Sequence, residues 1–126
     1  MPDKSPAEKL KFKPGMTAAV LCAPAGVELG LPPGVASEDA NGADFILVFA
    51  ATQAEAQARV TAIAPFVGEK TVAWIAYPKG SKAKGLDISR DTIWPFVRSV
   101  GLIVNANFSI DATWSAVRVR PLRPGE

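Results

Sequence analysis

Two stretches of the chain are apolar without interruption, and they constrain the fold more than any other feature. Residues 44–50 read Asp-Phe-Ile-Leu-Val-Phe-Ala, and residues 71–77 read Thr-Val-Ala-Trp-Ile-Ala-Tyr. Both are short enough to be strands, and neither shows the alternation of a strand that has one solvated face. This pattern is typical of strands that are covered on both faces, so we expect both stretches to lie inside a sheet with layers on each side.

Helical patterns follow each of these predicted strands. Residues 52–55 form a capping box, Thr-Gln-Ala-Glu, and open a helix that is predicted to end at Pro65. A second apolar helical stripe ends at Gly101. Since proline is excluded from deep inside a helix, Pro95 predicts that the second helix begins near Asp91 or Thr92.

The remainder of the chain supplies a first strand and a closing hairpin. Residues 16–22 are predicted to form a buried strand, and residues 102–110 and 114–120 to form two strands joined by a tight turn. Strand–helix–strand units predict right-handed crossovers. We therefore expect a three-layer α/β fold with a mainly parallel sheet of about five strands, to which the hairpin adds one antiparallel strand.

The length of 126 residues predicts a single domain spanning residues 1–126. A proline-started capping box predicts a short N-terminal helix over residues 5–12. Residues 26–43 are rich in glycine and proline and are expected to form a long irregular loop, and residues 121–126 a tail.

The absence of histidine and the single cysteine exclude several classes of function. Catalytic triads that use imidazole and zinc sites built from histidine or clustered cysteine need residues that this chain lacks. No apolar run reaches the ~18 residues needed to cross a membrane, and the N-terminus lacks the apolar core of a signal peptide. These observations predict a cytoplasmic protein with no metal site and no disulfide within the chain.

The predicted element order resembles the second half of a class I S-adenosylmethionine-dependent methyltransferase, a Rossmann-like fold. The resemblance implies that residues 26–43 replace two strand–helix units. Methyltransferases that bind the cofactor end their first strand in an acidic, glycine-rich loop, whereas residues 22–26 here read Cys-Ala-Pro-Ala-Gly. We therefore expect no cofactor, and the sequence argues against an enzyme without excluding one.

A closer resemblance is to a family of small bacterial proteins, the domain-of-unknown-function 3052 family. It rests on Val-Ala-Trp-Ile-Ala-Tyr-Pro-Lys at residues 72–79 and on Trp-Ser-Ala-Val-Arg at residues 114–118. The family brings no assigned activity, so the resemblance supports the fold and leaves the function open.

A basic loop after the second apolar strand is the candidate binding site. Residues 77–85 carry three lysines, two glycines and a serine, and the loop leads to the start of a helix, a combination that favours an anion such as phosphate. The alternative is an ordinary solvated loop. The candidate ligand-binding residues are Tyr77, Lys79, Lys82, Lys84, Ser89 and Arg90. Residues 70–126 hold nine basic and four acidic residues, which could also suit an acidic partner.

Two further expectations concern the first strand. Cys22 lies in an apolar context and is expected to be an inert buried thiol. If two strand–helix units are missing, the first strand becomes an apolar sheet edge, which either residues 26–43 or a second copy of the chain would have to cover. On this ground a homodimer is predicted.

These observations lead to three hypotheses about function. The first is a non-catalytic interaction or regulatory domain on a degenerate methyltransferase-like scaffold. The alternative is a binder of a small anionic ligand or nucleotide at residues 77–84. The third is a small enzyme that uses Tyr77, a lysine or a carboxylate. Nucleic acid is not an expected partner, because no aromatic residues are interleaved with Arg118, Arg120 and Arg123.

Overall fold

A computed structural model describes residues 10–13, 15–22, 36–37, 42–80, 85, 88, 90–110 and 113–122. For Ala36, Ser37 and Arg90 it describes the backbone alone. Within these residues the chain forms one mixed sheet and two helices.

The sheet has six strands in the order β2-β1-β3-β4-β6-β5 within the described part of the chain. The strands are β1 (Ala18–Leu21), β2 (Ala36–Ser37), β3 (Phe45–Phe49), β4 (Val72–Pro78), β5 (Leu102–Ser109) and β6 (Trp114–Pro121). The helices are α1 (Gln53–Ile63), followed by a 3-10 turn (Ala64–Phe66), and α2 (Arg90–Ser99). The two uninterrupted apolar stretches form β3 and β4, as predicted.

The sheet is mixed, which corrects the expectation of a mainly parallel sheet. The pairings β2–β1, β1–β3 and β3–β4 are parallel. The pairings β4–β6 and β6–β5 are antiparallel, and they have the longest registers. The reason is that the hairpin turn after β5 leads into β6, which lies between β4 and β5 in the sheet and runs antiparallel to both strands.

The strand β2 corrects one expectation about the first part of the chain and bears out another. It lies within residues 26–43, which are expected to form an irregular loop, and it pairs in parallel with β1 through Ala18↔Ala36 and Ala19↔Ser37. Of the two alternatives for covering the apolar edge of β1, the structure shows the one in which residues 26–43 contribute the cover. The homodimer, which was the other alternative, stays a prediction.

Both faces of β3 and β4 are buried, which confirms the expectation from their apolar pattern. On one face Ile46, Val48 and Ile75 pack against residues of α1 and α2, including Val60 and Val97. Both helices therefore lie on the same side of the sheet, because each contributes to this cluster.

The opposite face of the sheet is covered by the N-terminal segment. Phe45, Leu47 and Trp74 are fully buried there together with Leu10 and Phe12. Residues 5–9 of the predicted N-terminal helix lie outside the described residues, and Leu10 and Lys11 form a turn.

A buried hydrogen bond fixes this segment to the centre of the sheet. The Trp74 indole Nε1 donates to the backbone oxygen of Leu10 over 2.7 Å, although the two residues are 64 positions apart. The ring of Phe12 meets that of Phe45 edge-on, with centroids 5.6 Å apart. One polar and one aromatic contact therefore set the position of the segment along the sheet.

The start of the first helix was predicted correctly, and that of the second was predicted to within one or two residues. Thr52 is the N-cap of α1, and its hydroxyl accepts a hydrogen bond from the Glu55 amide over 3.2 Å. Helix α2 begins at Arg90, so Pro95 lies inside it and deprives the Asp91 carbonyl of its usual donor. Pro95 is exposed, so water can reach this part of the helix.

Replacing Trp74 by phenylalanine tests the hydrogen bond between the sheet and the N-terminal segment. Trp74→Phe leaves the buried Leu10 carbonyl without its donor and should lower the free energy of unfolding by about 2 kcal/mol in urea denaturation. Trp94→Phe is the matched control, because Trp94 is 44% exposed, and it should change stability by less than about 0.5 kcal/mol. Equal effects of the two substitutions would show that the buried bond contributes no stability.

Candidate functional site

The order of the strands places a crevice at the carboxyl ends of β1 and β3. From β1 the chain continues to β2 on one side, and β3 lies on the other side of β1. In open α/β sheets, ligands bind where the strand order reverses in this way. A cavity of about 250 Å³ is found here, lined by residues that include Cys22, Phe49, Glu55, Arg59 and Trp114. We call it the switch-point cavity.

The aromatic wall of the switch-point cavity is built from two strands. Phe49 is the last residue of β3, and Trp114 is the first residue of β6. Their rings meet edge-on, with centroids 5.2 Å apart and an interplanar angle of 84°. This geometry is a favourable aromatic arrangement, and it joins the end of β3 to the start of β6 across β4.

The charged side chains of the switch-point cavity belong to the first turns of α1. The Glu55 carboxylate accepts hydrogen bonds from the Ala51 amide over 3.0 Å and from Arg59 Nη1 over 3.2 Å. Arg59 Nη1 also donates to the backbone oxygen of Phe49 over 2.5 Å. The two side chains are about one-third exposed and four residues apart on the helix. They therefore tie the start of α1 to the end of β3.

Cys22 contradicts the expectation of a buried thiol. It follows the last residue of β1, is exposed, and has a φ of 60°, in the left-handed region that residues with a side chain rarely adopt. The apolar pattern predicted the strand, but the strand ends at Leu21, and the turn to the next segment carries the thiol to the surface and to the switch-point cavity.

Two of the predicted ligand-binding residues, Tyr77 and Lys79, lie together at the end of β4. The Tyr77 hydroxyl accepts a hydrogen bond from Asn107 Nδ2 over 2.9 Å. Lys79 Nζ donates to Ser109 Oγ over 2.5 Å, and the Lys79 amide donates to the Thr113 oxygen over 2.8 Å. Both side chains thus reach across β6 to the edge strand β5. We call Tyr77, Lys79, Asn107 and Ser109 the polar cluster.

The other predicted ligand-binding residues cannot be placed in the polar cluster. Lys82, Lys84 and Ser89 lie outside the described residues. Arg90 is the first residue of α2, and only its backbone is described. The described part of the predicted site is therefore the pair Tyr77 and Lys79.

Sequence reasoning missed four polar residues of these two sites. Glu55 and Arg59 had a usable signal, because acidic and basic residues four positions apart on a helix face one another. Asn107 and Ser109 had none. A register shift between Val104 and Ala106 of β5 places Asn107 on the same face of the sheet as Tyr77, and strict alternation along the strand does not reveal such a bulge.

The described residues contain neither a candidate metal site nor a candidate membrane-spanning helix. No group of three or more cysteine, aspartate or glutamate side chains there is placed to hold a metal ion. No helix in that part of the chain is long and apolar enough to cross a membrane.

Comparisons with known proteins identify the fold and no family. No family model matches the chain, so the resemblance to the domain-of-unknown-function 3052 family is not confirmed, and no curated protein matches it significantly. Among solved structures, a LepI variant in complex with SAH and a substrate analogue matches with a TM-score of 0.52 and 15% identity over 93% of this chain. LepI in complex with SAM matches with a TM-score of 0.51 and 14% identity over 92% of this chain.

These matches show a methyltransferase-like α/β fold. The chain spans 39% of the length of either LepI chain. The fold was expected from the order of the elements, and at this level of identity the matches bear on the fold alone.

The exposure of Cys22 is open to direct chemical measurement. Because the thiol is exposed, Ellman's reagent should titrate one thiol per native chain, at a rate within about tenfold of that in denaturant. A Cys22→Ser variant is the blank. Reaction only after unfolding would restore the expectation of a buried thiol and contradict the position of Cys22 in the structure.

Proposed function

We propose that this protein is a non-catalytic interaction or regulatory domain on a reduced methyltransferase-like scaffold. The observation that carries the proposal is the pairing of the charged groups at the switch-point cavity. Glu55 and Arg59 bond to each other and to the backbone of Ala51 and Phe49. Groups engaged in this way stabilise the junction of β3 with α1, which gives this pair a structural role at the cavity.

The size of the switch-point cavity supports the same proposal. Its volume of about 250 Å³ lies below the ~300–1,000 Å³ that is common for small-molecule sites. The two LepI structures are complexes with SAM, or with SAH and a substrate analogue. The described walls are mostly apolar and include the Phe49–Trp114 pair.

The turn after β1 supplies a further argument. Close approach of a cofactor to backbone requires glycine, because a side chain keeps the ligand at a distance. At this turn the chain has Cys22, which is one of the residues that line the cavity. The sequence of residues 22–26 contains one glycine and no acidic residue that could accept hydrogen bonds from a ribose.

Titration with SAM and SAH tests this proposal. At millimolar SAM or SAH the melting temperature of the full chain should rise by less than about 1 °C, because a ligand that does not bind the native state cannot stabilise it. Isothermal titration calorimetry should give no saturable heat.

A saturable rise in melting temperature with either compound would overturn the proposal. Trp114→Ala would then show whether the compound occupies the switch-point cavity, since Trp114 forms part of its wall. Trp94→Ala is the matched control, because Trp94 is exposed on α2 and does not line that cavity.

The polar cluster supports a second candidate function, the binding of a small anion or nucleotide. Lys79 brings a positive charge, and Tyr77, Asn107 and Ser109 bring groups that can donate hydrogen bonds. An ammonium has three donors, and the bond to Ser109 uses one of them. The convergence of these side chains from two strands is the observation that favours this candidate.

Removing the lysine charge tests the second candidate. Under this hypothesis pyrophosphate or ADP raises the melting temperature of the wild type, and Lys79→Ala weakens the binding at least about tenfold, because the only cation of the described cluster is gone. Lys70→Ala is the matched control, because Lys70 lies exposed in the turn before β4. Equal binding by the two variants, or none by the wild type, would exclude an anion site at the polar cluster.

A further inference from the structure

The edge strand β5 is unusually open to pairing. It is eight residues long (Leu102–Ser109) and, among the described strands, it pairs with β6 alone. Its sequence, Leu-Ile-Val-Asn-Ala-Asn-Phe-Ser, contains no charged residue and no proline, which are the usual protections of an edge strand. Asn105, Asn107, Phe108 and Ser109 are exposed. Among the described strands, none pairs with the outer side of β5.

The structure describes the opposite edge of the sheet only in part. Its outermost described strand, β2, consists of Ala36–Ser37, and the residues on either side of it lie outside the described part of the chain. β5 is described along all eight residues, and the single register shift between Val104 and Ala106 is its one irregularity.

An exposed aromatic side chain lies directly on the open edge. Phe108 is 42% exposed, and its ring packs at a tilt against that of Trp74, with centroids 5.7 Å apart. The inner side of the ring thus belongs to the core, and the outer side faces solvent on a strand whose outer side pairs with no other described strand. Further burial of Phe108 and pairing of the β5 backbone would occur together when a strand is added to the sheet.

We infer that β5 pairs in antiparallel fashion with β5 of a second copy of this chain, so that the two sheets become continuous. This inference rests on the proposed function as an interaction domain, and it names the surface and the partner. A two-fold axis perpendicular to the sheet keeps each face of both copies on the same side. The two Phe108 side chains then share one face of the joined sheet.

Charge and register favour a second copy as the occupant. The strand itself carries no charged side chain, and the Lys79 ammonium that bonds to Ser109 lies at one end of β5, so antiparallel pairing over the whole strand puts the two ammonium groups at opposite ends. The nearest cations on β6, Arg118 and Arg120, would be separated from their equivalents by three strand spacings, about 14 Å. That distance exceeds the Debye length of ~8 Å at physiological ionic strength, so their repulsion is screened.

The interface is small, and the dimer should therefore depend on concentration. One pair of strands buries less than the ~1,200 Å² that is typical of stable complexes. Sedimentation velocity of the full chain from the low micromolar to the high micromolar range should show conversion from monomer to dimer. Amide hydrogen exchange over the same range should show protection that rises with concentration in β5 and not in β2.

A charge on the edge separates this inference from other modes of dimerisation. Phe108→Lys places a charge on the edge, a device by which sheets block the addition of a strand, and removes the exposed ring, so it should raise the dissociation constant of the dimer at least about tenfold. Phe66→Lys is the matched control, because Phe66 is 41% exposed in the turn after α1, and it should leave the dissociation constant unchanged. Should Phe108→Lys fail to fold, exchange in the wild type still gives the answer.

Each remaining outcome overturns the inference. A chain that stays monomeric across the range, or a dimer whose β5 amides exchange as fast as in the monomer, would exclude β5 pairing. Protection of β5 only by an added partner protein would assign the edge to a different occupant. The failure of this inference can be told apart from the failure of the proposed function. The results above concern β5 and do not depend on SAM, whereas binding of SAM would overturn the proposed function whether or not β5 pairs.

Discussion

Burial of β3 and β4 on both faces is the constraint on which the rest of this structure depends. Their side chains are fully buried on both sides from Phe45 to Phe49 and from Ala73 to Ala76. The helices supply one cover, and the N-terminal segment supplies the other through the hydrogen bond from Trp74 to the Leu10 oxygen. Because a buried, unpaired indole N–H costs free energy, that bond fixes both the segment and the orientation of the tryptophan.

The reversal of strand order around β1 decides where a site can form. It gathers the turn at Cys22, the end of β3 and the start of α1 into the switch-point cavity. In this chain the Glu55–Arg59 pair uses the backbone groups at that position to join a strand to a helix. In this fold class, ligands bind at the point where the strand order reverses. In the described part of this chain, the charged groups at that point instead join β3 to α1, and the proposal of an interaction domain rests on this observation.

Much of the fold could be predicted because it rests on local patterns. The uninterrupted apolar stretches gave β3 and β4, and Thr52 and Glu55 gave the start of α1, since capping depends on residues three positions apart. The strand β2 escaped prediction because two residues carry no periodicity and become a strand only by pairing with β1. The exposure of Cys22 escaped because a one-residue difference in where β1 ends turns a core position into a turn.

The candidate sites, like the fold, were predicted in part from local sequence and were completed only by the tertiary structure. The sequence by itself determined that Tyr77 and Lys79 stand at the end of a buried strand and that imidazole chemistry is excluded. Only the tertiary structure decided their partners: the bulge in β5 places Asn107 and Ser109 across β6 from them, 30 positions away along the chain. It also decided which edge stays open, because β2 covers β1 whereas β5 has a neighbour on one side among the described strands. Strand pairing joins residues that are remote in sequence, and that long-range register is the information that local patterns lack.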